Sequence, residues 1–189
     1  MRFVALLLLV GFALPSQAEL FDINVGEDAV RANLNGPLSR AFDGAKGRYE
    51  VGGLVASEDD QDVASAHLGL MLAGDAGAPQ ANVEAGIGLR AQYVGAEDDD
   101  GGGIAFGGQF DVRLPGYDRI GFFIYGYYGP DATSFGDVED FHEFAASLGY
   151  EILKDAMIYV GYRELNADFG DEGPELEADG IHFGMRLDF

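Results

Sequence analysis

Hydrophobic and polar positions alternate along this chain with a period of two. From Phe21 onward, large apolar residues recur at every second position, separated by turn-like segments. The apolar sets are Phe21/Ile23/Val25, Val30/Ala32/Leu34, Tyr49/Val51/Val55, Ala64/Ala66/Leu68/Leu70/Leu72 and Val83/Ala85/Ile87/Leu89/Ala91/Tyr93. They continue as Ile104/Phe106/Phe110/Val112/Leu114, Ile120/Phe122/Ile124/Tyr128, Phe144/Ala146/Leu148/Tyr150/Ile152, Ile158/Val160/Tyr162 and Ile181/Phe183/Met185/Leu187/Phe189. Successive strand side chains point to opposite faces, so each set predicts a strand with one apolar face. That gives ten strands, or eight if the short N-terminal pair merges or stays outside the wall. Pro37, Pro79, Pro115, Pro130 and Pro174 all fall between the sets, as a continuous sheet requires. No segment of useful length has the helical period.

The connections fall into two families. One is acidic: Ser57 to Asp62, Glu97 to Gly103, Gly129 to Asp140, and Ala167 to Gly180. The other is less acidic and mostly shorter: Ser39 to Gly47, Gly74 to Gln80, Pro115 to Asp118, and Lys154-Asp155. The families interleave strictly, one at each end of an up-and-down meander. Short turns at one end and longer loops at the other are the asymmetry of outer-membrane barrels. On that reading the acidic loops are external and both termini are periplasmic.

Periodicity alone leaves open which face looks out, because a secreted soluble barrel alternates in the same way with its apolar side inward. Three features point to an outward apolar face. The polar face is rich in small residues (Gly86, Gly88, Gly107, Gly121, Ala145, Ser147, Gly149, Gly161 and Gly184), which suits a crowded concave interior. Its charges nearly balance: Arg31, Arg48, Arg90, Arg113, Arg163 and Arg186 stand against Glu50, Glu84, Asp111, Glu143, Glu151 and Asp188. Arginine pairs well with carboxylates when both are desolvated, so these residues predict a packed lumen network. Several sets also reach the ~9–11 residues that a tilted spanning strand needs. The expected fold is an all-β, antiparallel, up-and-down transmembrane β-barrel of about ten strands.

Composition sharpens this picture. Arg2, the apolar run Phe3 to Leu14 and the small residues before Glu19 form a secretory signal peptide, residues 1–18, leaving 19–189 as the barrel. The apolar run is too short for a spanning helix, which needs about 20 residues. There is no cysteine, so stability comes from the sheet without disulfides. The chain has 11 Lys and Arg against 33 Asp and Glu, a net charge of −22 that becomes −23 once Arg2 is removed. Such acidity excludes nucleic acid as a partner.

The final strand, Ile181, Phe183, Met185, Leu187 and Phe189 on one face, resembles the last strand of bacterial outer-membrane barrels. In that class the strand is the signal read by the barrel-assembly machinery. The chain also resembles the YfaZ family of predicted outer-membrane proteins. The resemblance is carried by Asn35 to Arg40, Val83 to Arg90, Arg113-Leu114-Pro115-Gly116-Tyr117-Asp118-Arg119, Tyr127 to Asp137, and Tyr159 to Arg163. It implies an outer-membrane barrel and supplies no catalytic residue.

Candidate chemistry is sparse. The acidic loops could attract divalent cations weakly, but Asp98-Asp99-Asp100 followed by glycines lacks the spacing of an EF-hand loop. His67 and His182 face the lumen by parity. Ser65 shares the face of His67, and His142 lies near the rim with Asp140 and Glu143. None of these has the fixed spacing of a catalytic motif. Tyr93, Phe110, Tyr128, Phe144, Tyr150, Tyr162 and Phe189 suit interfacial girdles, while Phe123, Tyr125 and Tyr127 fall on the inner face as lumen filling. The expectation is a monomeric, non-enzymatic envelope protein without cofactor, embedded in outer-membrane lipid, either structural or a narrow cation-preferring pore with a largely filled lumen. The alternatives are a barrel enzyme acting on lipid or peptide at the external rim, and a soluble periplasmic barrel binding a small apolar ligand.

Overall fold

The computed structural model describes residues 19–189 except 41, 44–45, 59–60, 78–81, 97–98, 114 and 171–174. The expected signal peptide, Pro79, Leu114 and Pro174 lie outside the described residues. The strands are β1 (Leu20–Gly26), β2 (Ala29–Pro37), β3 (Arg48–Glu58), β4 (Gln61–Asp75), β5 (Asn82–Ala96) and β6 (Asp99–Arg113). They continue as β7 (Ile120–Gly129), β8 (Ser134–Gly136), β9 (Asp140–Leu153), β10 (Ala156–Asp168) and β11 (Glu175–Asp188). Every ladder is antiparallel, and each long strand pairs with the next long strand in sequence. β1 also pairs with β11, from Leu20 opposite Asp188 to Gly26 opposite His182. Reciprocal backbone bonds between Glu19 and Phe189, 2.8 and 2.9 Å, finish the seam. The wall is therefore a closed barrel of ten long strands with both termini at one end. The short first strand is a full stave of it.

The registers fix the shape. From Gly36 of β2, successive partners around the wall are Tyr49, Leu70, Leu89, Phe106, Tyr128, His142, Asn166 and Glu177. In the other direction, through β1, Gly36 is level with Phe189. Glu177 and Phe189 lie 12 residues apart, so the shear is 12. With about 3.3 Å along a strand and about 4.8 Å between strands, ten strands at this shear tilt by about 40° on a backbone radius of about 10 Å. Such a lumen is narrow enough for side chains on opposite walls to meet.

The apolar sets look outward. Leu68, Leu70, Leu72, Ile87, Leu89, Phe106, Phe110, Leu148, Ile158, Ile181 and Phe183 are all exposed on the outer surface. This overturns the alternative of a soluble barrel with an apolar interior. The girdle candidates Tyr93, Phe110, Tyr128, Phe144, Tyr150, Tyr162 and Phe189 are likewise exposed.

The acidic connections are shorter than the composition suggests. Asp99 to Gly103, read as loop, belongs to β6, and residues 175 to 180 belong to β11. Glycine explains the first correction. A Cβ at Gly102 would strike the Gln92 carbonyl, and one at Gly101 or Gly103 would strike the backbone of the 133–138 segment. Three backbones crowd together here, which only glycine permits. β8 was not foreseen either. β7 pairs with β6 only from Phe106 to Arg113, and β8 takes over the same edge at Gly101 to Gly103. Between them the Thr133 hydroxyl donates to the Ile104 carbonyl at 2.8 Å, standing in for the missing strand. Pro37 is the last residue of β2, not part of the connection.

Candidate functional site: the lumen

The lumen is built in layers from the end that carries the termini. At that end the pairs are partly exposed. Arg48 meets Glu84 at 3.2 Å, and Arg113 meets Glu151 at 2.7 Å and Asp111 at 3.9 Å. Arg186 reaches Asp22 at 3.4 Å and lies over the Phe123 ring, 4.0 Å from its centre. Asp188 sits at the rim and is exposed.

The middle layer is buried. Glu143 of β9 is its hub, paired with Arg31 of β2 and with Arg90 of β5 at 2.5 Å, and accepting the Tyr125 hydroxyl of β7 at 2.7 Å. Arg31 also donates to the Tyr125 oxygen. Arg90 donates through Nε to Glu50 of β3 at 2.6 Å and stacks on Tyr127 at 3.8 Å. Two arginines and two carboxylates thus balance in charge and, with Tyr125, tie five staves together across the lumen. Arg90, one of the largest side chains in the chain, is 1% exposed. Room for the rings comes from glycine directly across the strand: Gly107 opposite Tyr127, and Gly184 opposite Tyr159. A Cβ at either glycine would strike the facing ring.

Beside the seam lies a group that the charge pattern did not single out. Tyr159 donates to Asp22 at 2.6 Å, and Asn24 donates to the Tyr159 oxygen at 3.0 Å. Arg163, expected among the ion pairs, instead donates to the Asn24 side-chain oxygen at 2.7 Å. Parity alone would have placed Asp22 and Asn24 on the inner face, opposite the side of Phe21, Ile23 and Val25.

The far end is apolar inside, where the sequence predicts small residues, charged pairs and the rings of Phe123, Tyr125 and Tyr127. Leu54, Val63, Val94, Ala105, Tyr127, Phe141, Leu165 and Ala178 form one buried cluster with Val138 and Phe169. These eight residues come from β3, β4, β5, β6, β7, β9, β10 and β11 in turn, so the ring runs around most of the wall. Val94, Ala105 and Phe141 have no exposed surface at all. The signal was present in doubled apolar residues near these strand ends: Leu54-Val55, Val63-Ala64, Tyr93-Val94 and Ile104-Ala105. Strict alternation assigned one of each pair to the outer wall and left the other without a place.

His67 and His142 have ordinary partners. His67 lies 3.3 Å from the Asn33 oxygen and 3.6 Å from Glu50, while Ser65 accepts from Gln92 at 3.3 Å. His142 faces outward, not toward Glu143, and meets Glu164 at 3.4 Å and Asn166 at 3.3 Å. On the outer surface near the same end, Tyr93 donates to Asp100, and Tyr162 donates to Asp179 at 2.6 Å. Among the described residues, no group of three or more His, Asp or Glu is arranged to hold a metal ion.

Comparison with known proteins gives a family and several similar chains. A family described as "YfaZ precursor" matches residues 1–189. The chain is 31% identical over 140 residues to "Outer membrane protein YfaZ" of Escherichia coli (strain K12), covering 73% of each protein. Among solved structures it is similar to the NanC porin, at 13% identity over 92% of this chain and 100% of that one, with a TM-score of 0.42. It is also similar to the KdgM porin, at 10% identity over 92% and 99%, with a TM-score of 0.38. On the family match, the curated relative and its closed wall with an apolar exterior, the chain belongs to the YfaZ family and is an outer-membrane β-barrel protein.

Proposed function

We propose that the protein is a closed, non-enzymatic structural barrel of the outer membrane and not an open pore. The observation that carries this reading is the ring from Leu54 to Ala178, stacked on the buried Arg31–Glu50–Arg90–Glu143 layer. Ions would have to cross a constriction lined mainly by hydrocarbon side chains, with Tyr127 stacked on Arg90, and hydrophobic constrictions block conduction by dewetting. The pore reading, with cation preference from an acidic mouth, needs this ring to open. A catalytic reading finds little support, because Ser65 and His67 are committed to different partners in a sealed layer. In this proposal the barrel works as a monomer, uses its last strand as the assembly signal, and contacts outer-membrane lipid through its apolar belt. Divalent cations interact only weakly with its acidic connections.

Solute efflux from liposomes tests the reading. Folded protein in vesicles preloaded with potassium should leave efflux at the rate of protein-free vesicles. Efflux that scales with the amount of folded protein would overturn it.

A further inference from the structure

A small cavity of about 20 Å³ opens where the β1–β2 turn meets the seam. Gly26, Ala29, Ala56, Arg163, Ala178 and His182 line it. It is large enough for one water-sized occupant, which needs roughly 10–15 Å³. Gly180 also borders it from the inner face of β11, and a Cβ there would meet nothing within 4 Å. The space is thus one that a side chain would otherwise fill.

Arg163 is the unusual member. It is 4% exposed, and its Nε has no hydrogen-bond partner. Arg31, Arg48, Arg90, Arg113 and Arg186 each reach a carboxylate. Among the described residues Arg163 forms no ion pair, and its one hydrogen bond is to the neutral Asn24 amide. A buried cation without a counter-charge is costly. His182 lies on the same cavity wall, 3% exposed; it approaches the Gly180 backbone, and its Nδ1 makes no well-formed hydrogen bond. Of the acidic residues lining the cavity, Asp179 turns its carboxylate to Tyr162 on the outer surface, and Glu27 and Asp28 are exposed in the turn.

We propose that this cavity binds a single small monovalent anion of halide size, held by Arg163 Nε and His182. A neutral water would fill the space but leave the charge uncompensated, whereas a halide does both. His182 contributes as a donor in the tautomer that carries its proton on Nδ1. The site rests on the closed-lumen reading, because the inward-facing Arg163 and His182 and the ring residue Ala178 line the cavity.

Two measurements test it. Crystals soaked in sodium bromide should show an anomalous peak within hydrogen-bonding distance of Arg163 Nε. In urea titrations at fixed ionic strength, replacing gluconate by chloride should raise the folded-to-unfolded ratio about tenfold per tenfold chloride once the site saturates. Arg163→Gln should abolish that dependence. If Arg163→Gln fails to fold, Ala178→Leu, which fills the cavity and keeps the arginine, should abolish it instead. A water or a carboxylate of the chain on Nε in place of bromide would overturn the proposal. So would a chloride dependence that persists in these variants.

Discussion

Glu143→Gln removes one charge from the hub of the lumen and leaves its shape almost unchanged. In the native layer the carboxylate serves Arg31, Arg90 at 2.5 Å and the Tyr125 hydroxyl at 2.7 Å. With glutamine there, Arg31 and Arg90 share only Glu50, and the sealed layer carries one uncompensated positive charge. Removing one partner of a buried pair costs about 3–5 kcal/mol. Glutamine keeps one acceptor oxygen, so the low end applies, about 3 kcal/mol, or roughly a hundredfold in the folding equilibrium. The chain has no tryptophan, so urea titration in lipid vesicles should be followed by far-UV circular dichroism together with heat-modifiable gel mobility. Pairing Glu143→Gln with Arg31→Met should recover part of the loss, giving a coupling of at least about 0.5 kcal/mol in a double-mutant cycle. A Glu143→Gln barrel within about 0.5 kcal/mol of the native one would refute the argument, because exposed pairs contribute only about that much. The layer would then be solvated and the lumen open to water.

Other expectations follow from the outer wall and the β6 edge. Phe183→Arg puts a charge on an exposed outer position well inside β11, and should cost about 2–4 kcal/mol near the midplane. Leu187→Arg, closer to the terminal end, should cost about 0–1 kcal/mol near the interface; equal yields of folded protein from the two variants would contradict the assigned membrane depth. Thr133→Val removes the hydroxyl that satisfies the Ile104 carbonyl where β7 leaves β6, and should cost about 1 kcal/mol in urea titration. It should also speed amide exchange in the neighbouring β6–β8 ladder, and unchanged exchange there would argue against the patching role. Phe141→Ala with Leu165→Ala cuts two of the least exposed side chains from the far-end ring. The pair should lower stability by several kcal/mol, at about 2–5 kcal/mol for each large-to-small core change, while still permitting insertion.

The fold was largely legible because the two faces of the wall meet different surroundings. Lipid accepts apolar side chains, so period two makes strand number and order legible, while the outward face needs the small and charge-balanced positions of the other face as well. The lumen was legible as an inner face but not as a set of pairs. Arg31, Arg90, Glu50 and Glu143 could be named by parity, yet their convergence depends on shear and on which staves face each other. Arg163 shows the limit: its charge suggested a carboxylate, and the fold supplies Asn24. Of the apolar ring only Tyr127 is legible as an inner residue, because a period-two reading gives each strand one apolar face and near the far end both faces are apolar. Asp99 to Gly103 has the sequence of a loop, since acidic and glycine residues usually mark turns. Here the glycines allow β5, β6 and β8 to approach closely.

The central claim is that the native lumen is closed by the ring around Phe141 and Leu165. Single-channel recording in planar bilayers tests it most directly, with folded protein verified by heat-modifiable mobility. The native barrel should give no steady current steps at either polarity, and Phe141→Ala/Leu165→Ala should give measurable leak. Steady, reproducible conductance from the native protein would contradict the account.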